Sequence, residues 1–402
     1  MHVTPPFGAS SNIALWRAYS KSPVELVVAD LVYKWFGENA MKILYVTTVG
    51  TTMEFFEDEF KHLIEQGHTV ELACSSSWDY KNSIAKLGLK RYDVPFSRSP
   101  ISLSNIKAYH QLKKIILNNK YDIVHCHTPN AAAITRLVCR RLRKNGIKVV
   151  YTAHGFHFYK GAPLINWLVF YPIEWICSHW TDVLLTMNSE DYTLAKNKLK
   201  AKNVDYVPGV GINLGKFGNK AINIDDKKTK LGLDKDSIVL LSIGELNENK
   251  NHETVIKALE GLNVVYMIAG KGDKEQRLLD IAKEVGIEKN FKLLGYRNDI
   301  PELLEIADAF VFPSYREGLS VSLMETMASS KPAIVSRIRG NIDLIDENGG
   351  ALFNPCSVEE CRRAILSVTK ADRKRMGQYN KEKVKKFSIE AVLQKIDEVY
   401  GG

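Results

Sequence analysis

Two glutamates eight positions apart, Glu317 and Glu325, stand in the stretch SYREGLSVSLMETMA, where the apolar run ADAFVFPS gives way to helix-forming residues near Ser320. A helix that starts there turns the peptide N–H groups of Leu319, Ser320 and Val321, with Gly318 ahead of them, toward the space beyond the strand, and such amides favour an anion such as a diphosphate. Glu317 suits the charge preference of a helix start. Glu325 lies more than a turn inside, so the two carboxylates are not both caps. In SIGELNENKNH, Gly244 closes a strand and Lys250 follows in a loop from which an ammonium can meet a departing diphosphate as a point charge. In YDIVHCHTP, His125 and His127 share one face of a strand, Asn130 comes three residues after His127, and His154 ends the next strand in YTAHG. No spacing joins three of these side chains and a carboxylate, so no metal is expected, and a lone histidine at a strand end also reads as structural. Gly270 and Gly272 in MIAGKGDKEQ are followed by Glu275 where a dinucleotide fingerprint needs a third glycine. NAD is therefore disfavoured, and a tight turn near a mononucleotide is what survives.

Residues of this kind need strands to carry them. From Met41, β-branched runs alternate with amphipathic stretches: KILYVTT, HTVELACS, YDIVHCHT, IKVVYTA and TDVLLTM. After a turn-rich section from Pro208 to Asp236 the rhythm restarts with SIVLLSIG, LNVVYMIAG, FKLLG, ADAFVFPS and PAIVS. The class is α/β: two Rossmann-like, doubly wound domains facing an interdomain cleft, with the chemistry on loops after the strands. The expected boundaries are an N-terminal extension at 1–40, an N-terminal Rossmann-like domain at 41–210, a linker at 211–235, a C-terminal Rossmann-like domain at 236–386, and a C-terminal helix at 387–402 that packs back toward the first half. The tripeptide Asp234, Lys235, Asp236 imitates a metal-binding motif, but its place before a strand reads as turn chemistry.

The 402 residues, 45% apolar and 25% charged, suffice for two cores. Six scattered cysteines without a Cys-x-x-Cys pair fit a reducing compartment and neither a disulfide framework nor a zinc site. The net charge of +9 is uneven: residues 41–210 hold roughly 22 Lys and Arg against roughly 14 Asp and Glu, including the run Arg136, Arg140, Arg141, Arg143, Lys144. The run reads as a solvated helix face, an anionic membrane surface or a site for a phosphate-bearing acceptor. Nucleic acid is disfavoured, because no reading motif accompanies the charge. Residues before Met41 look appended, with one amphipathic helix at Val24 to Phe36 and no signal-peptide pattern, so Met41 is the expected natural start. The segment Gly161 to Trp180 contains Pro172 and Glu174 and is not a transmembrane span. Its aromatic cluster, Phe156, Phe158, Tyr159, Trp167, Phe170 and Tyr171, reads first as core and second as a lipid-acceptor surface.

The paired glutamates in EGLSVSLMETMASSKPAIVS resemble the motif of family 4 retaining glycosyltransferases of the GT-B fold, and the resemblance spans nearly all of residues 41–400. By that similarity the domain at 41–210 binds the acceptor and the domain at 236–386 the nucleotide sugar, Glu317 contacts hydroxyls of the transferred hexose, and Glu325 accepts hydrogen bonds from the donor ribose. Main-chain groups of Arg297, in GYRND, meet uracil, and His154 lies near the sugar and leaving-group oxygens. His127 and Asn130 are acceptor-side candidates, as is Gly50 in TTVGTT, where relatives often show two glycines. Many relatives have an arginine beside Gly244; Glu245 stands here, which leaves Lys250 as the principal cation. The wording of YTAHGFHFYKGAPLINW and HCHTP resembles capsule and exopolysaccharide transferases. The resemblance implies transfer, with retention, of a hexosyl unit, an N-acetylhexosamine by expectation, from a UDP-sugar to a polyprenyl-diphosphate-linked saccharide. No cofactor or divalent ion is expected. The place is cytoplasmic, with peripheral contact at the inner membrane face. Two alternatives stay open: a GT-B enzyme of other chemistry, such as a UDP-sugar epimerase or a phosphorylase, and a non-catalytic nucleotide-sugar-binding partner subunit.

Overall fold

The computed structural model describes residues 40–76, 82–217 and 222–401. The extension before Ala40 and its expected helix lie outside the described residues. The chain divides into two units. The first runs to Thr186 and takes in Asp191–Tyr206 and the residues from Lys395; the second comprises Met187–Glu190 and Val207–Gln394.

In the first unit, strands β1 (Lys42–Val49), β2 (Thr69–Ser75), β3 (Lys90–Asp93), β4 (Ile123–His127), β5 (Lys148–Ala153), β6 (Val183–Thr186) and β7 (Asn203–Tyr206) form one parallel sheet in the order 3-2-1-4-5-6-7. The second unit repeats the plan. Its strands β8 (Val239–Ile243), β9 (Val265–Ala269), β10 (Phe291–Leu293), β11 (Ala309–Phe312), β12 (Ala333–Ser336) and β13 (Gly350–Phe353) are ordered 10-9-8-11-12-13. Both are doubly wound Rossmann-like sheets, and in each the order reverses once, between β1 and β4 and between β8 and β11. Ligands of such sheets sit beyond the strand ends at that reversal.

The central strands are near-continuous apolar runs because helices cover both faces. Along β8, Val239 and Leu241 enter one core with Phe310, Phe312 and Leu323, while Leu240 enters the other with Tyr266 and Val311. That alternation is the period of two along a strand. Edge strands β3 and β7 are half exposed and mixed in polarity, which is why no apolar run announces them.

Two sequence expectations are corrected. Residues 211–235 belong to the second unit and include a helix at Ile224–Lys230, rather than forming a linker. Ile212 bridges to Ser388, and a side chain at Gly211 would stand 2.8 Å from the Ile389 backbone, so this segment is packed. The basic run is not one cationic face. Arg136 is fully buried in a two-pronged pair with Glu174, at 2.8 and 3.0 Å, and its guanidinium lies 4.1 Å from the Tyr151 ring centroid. Arg143 is held by Asp182 at 2.8 Å, so Arg140, Arg141 and Lys144 are the exposed members. The segment after Pro163 is a helix, Leu164–Ser178, and Trp167, Phe170 and Tyr171 pack on the core in line with the first reading of the aromatic cluster, while Leu164, Ile165, Leu168 and Trp175 are exposed. Among the described residues no helix is long and apolar enough to cross a membrane.

Candidate functional site

In the second unit, the loops leaving β8 and β11 meet at the point of strand-order reversal. The first carries Asn247, whose side chain caps the turn Glu248–Lys250 by accepting from the Lys250 amide at 3.1 Å. The second carries Glu317. The two loops are fastened together: the Tyr315 amide donates to the Asn249 carbonyl at 2.8 Å and the Asn249 side chain donates to the Arg316 carbonyl at 3.0 Å. Lys250 Nζ then lies 2.8 Å from Glu317 Oε1 and 4.6 Å from the Phe312 ring centroid. Both members of this ion pair are about one-fifth exposed, so an anion arriving from solvent can take over the ammonium. A Cβ at Gly244 would sit 3.1 Å from Lys250 Cε, so glycine there gives the lysine stem room.

The helix after β11 is Val321–Ala328. Its cap is Ser320, with an extended backbone and a hydroxyl that accepts from the Leu323 amide at 3.3 Å, so neither glutamate has that task. The amides of Leu319, Ser320 and Val321 have no protein acceptor among the described residues. Leu319 and Met324 rest on Gly209, where a Cβ would meet Leu319 Cδ2 at 2.9 Å. Glu325 is largely buried, and burial pushes its carboxyl up to about 7 against the opposing pull of Lys216. The side chain of Arg297 is taken by Asp299 at 2.8 Å, and Asp299 is taken in turn by Lys227 at 2.6 Å. For a nucleobase, Arg297 has its main chain to offer.

Gly270 and Gly272 have a packing reason to lack a side chain. The face of Gly270 that lacks a side chain meets the Gly244 carbonyl, 1.7 Å from where Cβ would stand, and that of Gly272 meets the Leu246 carbonyl at 2.3 Å. What approaches them closely is the Lys250 loop, not open space.

Four residues essential to this geometry were not anticipated. Asn251 is buried and left-handed, at φ 51°, and its amide donates to the carbonyls of Pro313 at 3.1 Å and Pro355 at 2.8 Å. The loop after β12 braces the Glu317 loop from behind: Ser336 Oγ donates to the Ser314 carbonyl at 2.6 Å, Arg339 Nε to the Glu317 carbonyl at 3.3 Å, and Gly340 abuts the Gly318 carbonyl. An asparagine preceding a helix and a glycine shortly after a strand are the signals that mark Asn251 and Gly340. Asn251→Ala is expected to cost on the order of 2–4 kcal/mol, as two buried carbonyls lose their donor and a Cβ residue must hold a left-handed backbone. Denaturant unfolding measures this, with Asn251→Gly less damaging than Asn251→Ala; equal wild-type midpoints for all three would refute the bracing role.

In the first unit the equivalent reversal carries a histidine pair. His127 Nδ1 and His154 Nε2 are 3.2 Å apart, and burial lowers His154 to about 4 and His127 well below its usual range. Both are therefore neutral at physiological pH and act as hydrogen-bonding groups. His125 is excluded as a ligand-facing group, since Nδ1 meets the Tyr400 hydroxyl at 2.6 Å and Nε2 the Thr152 hydroxyl at 2.7 Å. Thr128, a β-branched residue at φ 62°, offers its hydroxyl to the Thr48 amide at 2.9 Å, which ties the β4 loop to the end of β1. Gly50 is buried and opens the short helix Gly50–Phe56 beside that tie. The Asn130 amide donates to the carbonyls of Ser97 and Arg98, at 2.9 and 2.7 Å, so its donors hold a loop. No group of three or more His, Cys, Asp or Glu among the described residues has the geometry to hold a metal ion.

Residues 42–188 match the family described as glycosyl transferase 4-like, and residues 223–383 the one described as glycosyl transferases group 1. The chain is 34% identical over 374 residues to EpsD of Bacillus subtilis (strain 168), across 89% of this chain and 96% of that one. It is 30% identical over 325 residues to the UDP-Gal:alpha-D-GlcNAc-diphosphoundecaprenol alpha-1,3-galactosyltransferase of Escherichia coli, across 77% of this chain and 82% of that one. Among solved structures, Anabaena HepE in complex with UDP-glucose aligns with a TM-score of 0.74 at 16% identity, covering 90% of this chain and 99% of that one.

Proposed function

We propose that this chain, which belongs to the group 1 and 4-like glycosyl transferases and has the GT-B fold, moves a hexosyl unit, an N-acetylhexosaminyl unit as the working choice, from a UDP-sugar to a polyprenyl-diphosphate-linked saccharide. The setting is capsule or exopolysaccharide assembly, in the cytoplasm, at the inner face of the membrane. The observation that carries the donor assignment is the contact of Lys250 with Glu317 beside the amide-rich start of the helix at Val321, at the reversal between β8 and β11. A diphosphate arriving there replaces Glu317 as the partner of Lys250 and gains the amides. Glu317 is thereby released toward the hexose hydroxyls.

The developing charge on the departing diphosphate is met by Lys250 and by fixed peptide dipoles, which cost no reorganisation during the reaction. To His154 we assign a neutral hydrogen bond to sugar or leaving-group oxygens, with His127 holding its ring. Retention follows from displacement on one face of the sugar, through an oxocarbenium-like state in which a diphosphate oxygen accepts the acceptor proton. The acceptor class is supported by the diphosphoundecaprenol-linked substrate in the name of the E. coli relative, and the donor class by the UDP-glucose complex of the Anabaena protein.

Screening UDP- and GDP-sugars for thermal stabilisation, then assaying UDP release with a lipid-linked saccharide and reading the product's anomeric configuration, tests this reading. The expected outcome is stabilisation by UDP-sugars, release dependent on acceptor, and a retained configuration. Turnover of the sugar without acceptor would point to an epimerase, and binding without turnover to a non-catalytic subunit.

Glu325 gives the donor site a pH dependence. Ribose hydroxyls donate to the ionised carboxylate, while burial raises this carboxyl to about 7, so donor binding releases a proton and affinity rises with pH through that value. Between pH 6 and 8, UDP affinity by calorimetry is expected to rise about tenfold. Glu325→Gln is expected to flatten that rise; an unchanged slope in the variant would remove Glu325 from the ribose.

A further inference from the structure

A cavity of about 170 Å³ in the first unit is unused by the reading above. It opens at the carboxyl ends of β4 and β5, between Pro129 and Asn130, which follow His127 closely, and Gly155, the residue after His154. Rings and aliphatic groups make most of its wall, namely Tyr151, Phe156, Phe158, Phe170, Ile134 and Ile173. The polar side chains that reach it are already engaged. Asn130 donates to two carbonyls, Asn105 accepts from the Ser97 amide at 3.1 Å and donates to the Ser99 carbonyl at 2.9 Å, and both oxygens of Glu174 are held by Arg136. The His157 ring lies against Phe170, centroids 4.6 Å apart. A saccharide needs hydrogen-bonding groups that are still available; this wall offers carbon.

The volume is near the roughly 150 Å³ of an apolar cavity that accepts benzene, so it takes one branched five-carbon group and not a whole ligand. Beyond it the surface continues apolar. The segment that supplies Pro100 and Asn105 exposes Ile101 (90%) and Leu103 (78%), and the helix that supplies Phe170 and Ile173 exposes Leu164 (73%) and Leu168 (64%). Apolar side chains grouped on a surface in this way mark a binding face. A flat bilayer surface does not fill a cavity recessed beside His154, whereas a single chain can enter it.

We propose that this cavity seats an isoprene unit of the acceptor's polyprenyl chain, with Ile101, Leu103, Leu164 and Leu168 bordering the path of the next units; the inference rests on the lipid-linked acceptor proposed above. The cavity thus selects acceptors by the branched hydrocarbon next to their diphosphate. The test measures binding of farnesyl diphosphate and of inorganic diphosphate to the full chain saturated with UDP, in wild type and Ala133→Phe, which fills the cavity from the helix Pro129–Leu142. Wild type is expected to prefer farnesyl diphosphate. Ala133→Phe is expected to weaken that ligand by about tenfold, the equivalent of two methylenes returned to water, with UDP affinity unchanged. Should Ala133→Phe also lose UDP affinity, Ile134→Asn is judged by the same criteria. Equal affinity for the two diphosphates, or farnesyl binding untouched by the substitution, overturns the proposal. So does a parallel loss of binding to phosphatidylglycerol vesicles free of polyprenyl lipid, which would make the cavity a bilayer contact. Transfer to a lipid-linked saccharide with unchanged KM in Ala133→Phe overturns the cavity and leaves the acceptor reading standing. Farnesyl binding that depends on Ala133 without any transfer in wild type does the reverse.

Discussion

Lys250→Ala is expected to lower turnover on the order of 10²–10³-fold, the range seen when one fixed electrostatic partner of a transition state is removed. Lys250 stands at the reversal between β8 and β11 with its ammonium about one-fifth exposed, and in the proposed reaction it meets the charge that grows on the departing diphosphate. The same substitution should barely alter stability. A pair that is about one-fifth exposed on both sides contributes roughly 0–1 kcal/mol, and Glu317 freed of its partner can turn to water. Lys250→Arg is expected to restore only part of the rate, because a guanidinium replaces the point charge with a planar fork whose donors sit elsewhere. Steady-state kinetics with a denaturation curve on the same sample separates the two effects. Near-normal turnover in Lys250→Ala would remove the leaving-group role altogether.

Gly340→Ala is expected to be as damaging, although no substrate contact is assigned to Gly340. A Cβ there would lie 1.7 Å from the Gly318 carbonyl oxygen and 3.5 Å from the Leu319 nitrogen, at φ 77°. Backbone cannot yield as a side-chain tip does. The peptide of Gly318 must shift by more than 1 Å, a displacement that costs about 10²-fold in rate when it occurs at a reacting centre. Strain in the left-handed backbone adds about 1–2 kcal/mol to the loss of stability. Gly261→Ala is the matched control: its φ is 69°, but nothing stands within 4 Å of the added carbon. That variant should lose the conformational contribution and keep full activity. If Gly340→Ala retained UDP affinity and rate, the bracing of the Glu317 loop by the β12 loop would be without consequence.

The first of these predictions was legible in the sequence and the second was not. SIGELNENKNH and the Glu317–Glu325 spacing announce a cation and an anion-binding helix start because strand, turn and helix chemistry are local. The alternating runs from KILYVTT to PAIVS likewise announce two parallel sheets. Gly340 against Gly318 is a contact between loops 22 residues apart, and only the placing of β11 beside β12 creates it. Gly270 and Gly272 add a contact of the same kind: their spacing was legible, but the fit of each against the Gly244 to Leu246 backbone was not. Arg136 looked like one charge of a solvated run until folding paired it with Glu174, 38 residues away. The edge strands β3, β7 and β13 escaped because short or half-exposed strands lack a long apolar run.

A uridine diphosphate is expected to place its two phosphates between Lys250 and the peptide groups from Gly318 to Val321. A crystal structure of the protein soaked with UDP measures this most directly. Phosphate oxygens are expected within hydrogen-bonding distance of Lys250 Nζ and of at least two of those amides, with the 2.8 Å contact between Lys250 and Glu317 broken. A nucleotide whose phosphates lie elsewhere, with that contact intact, would contradict it.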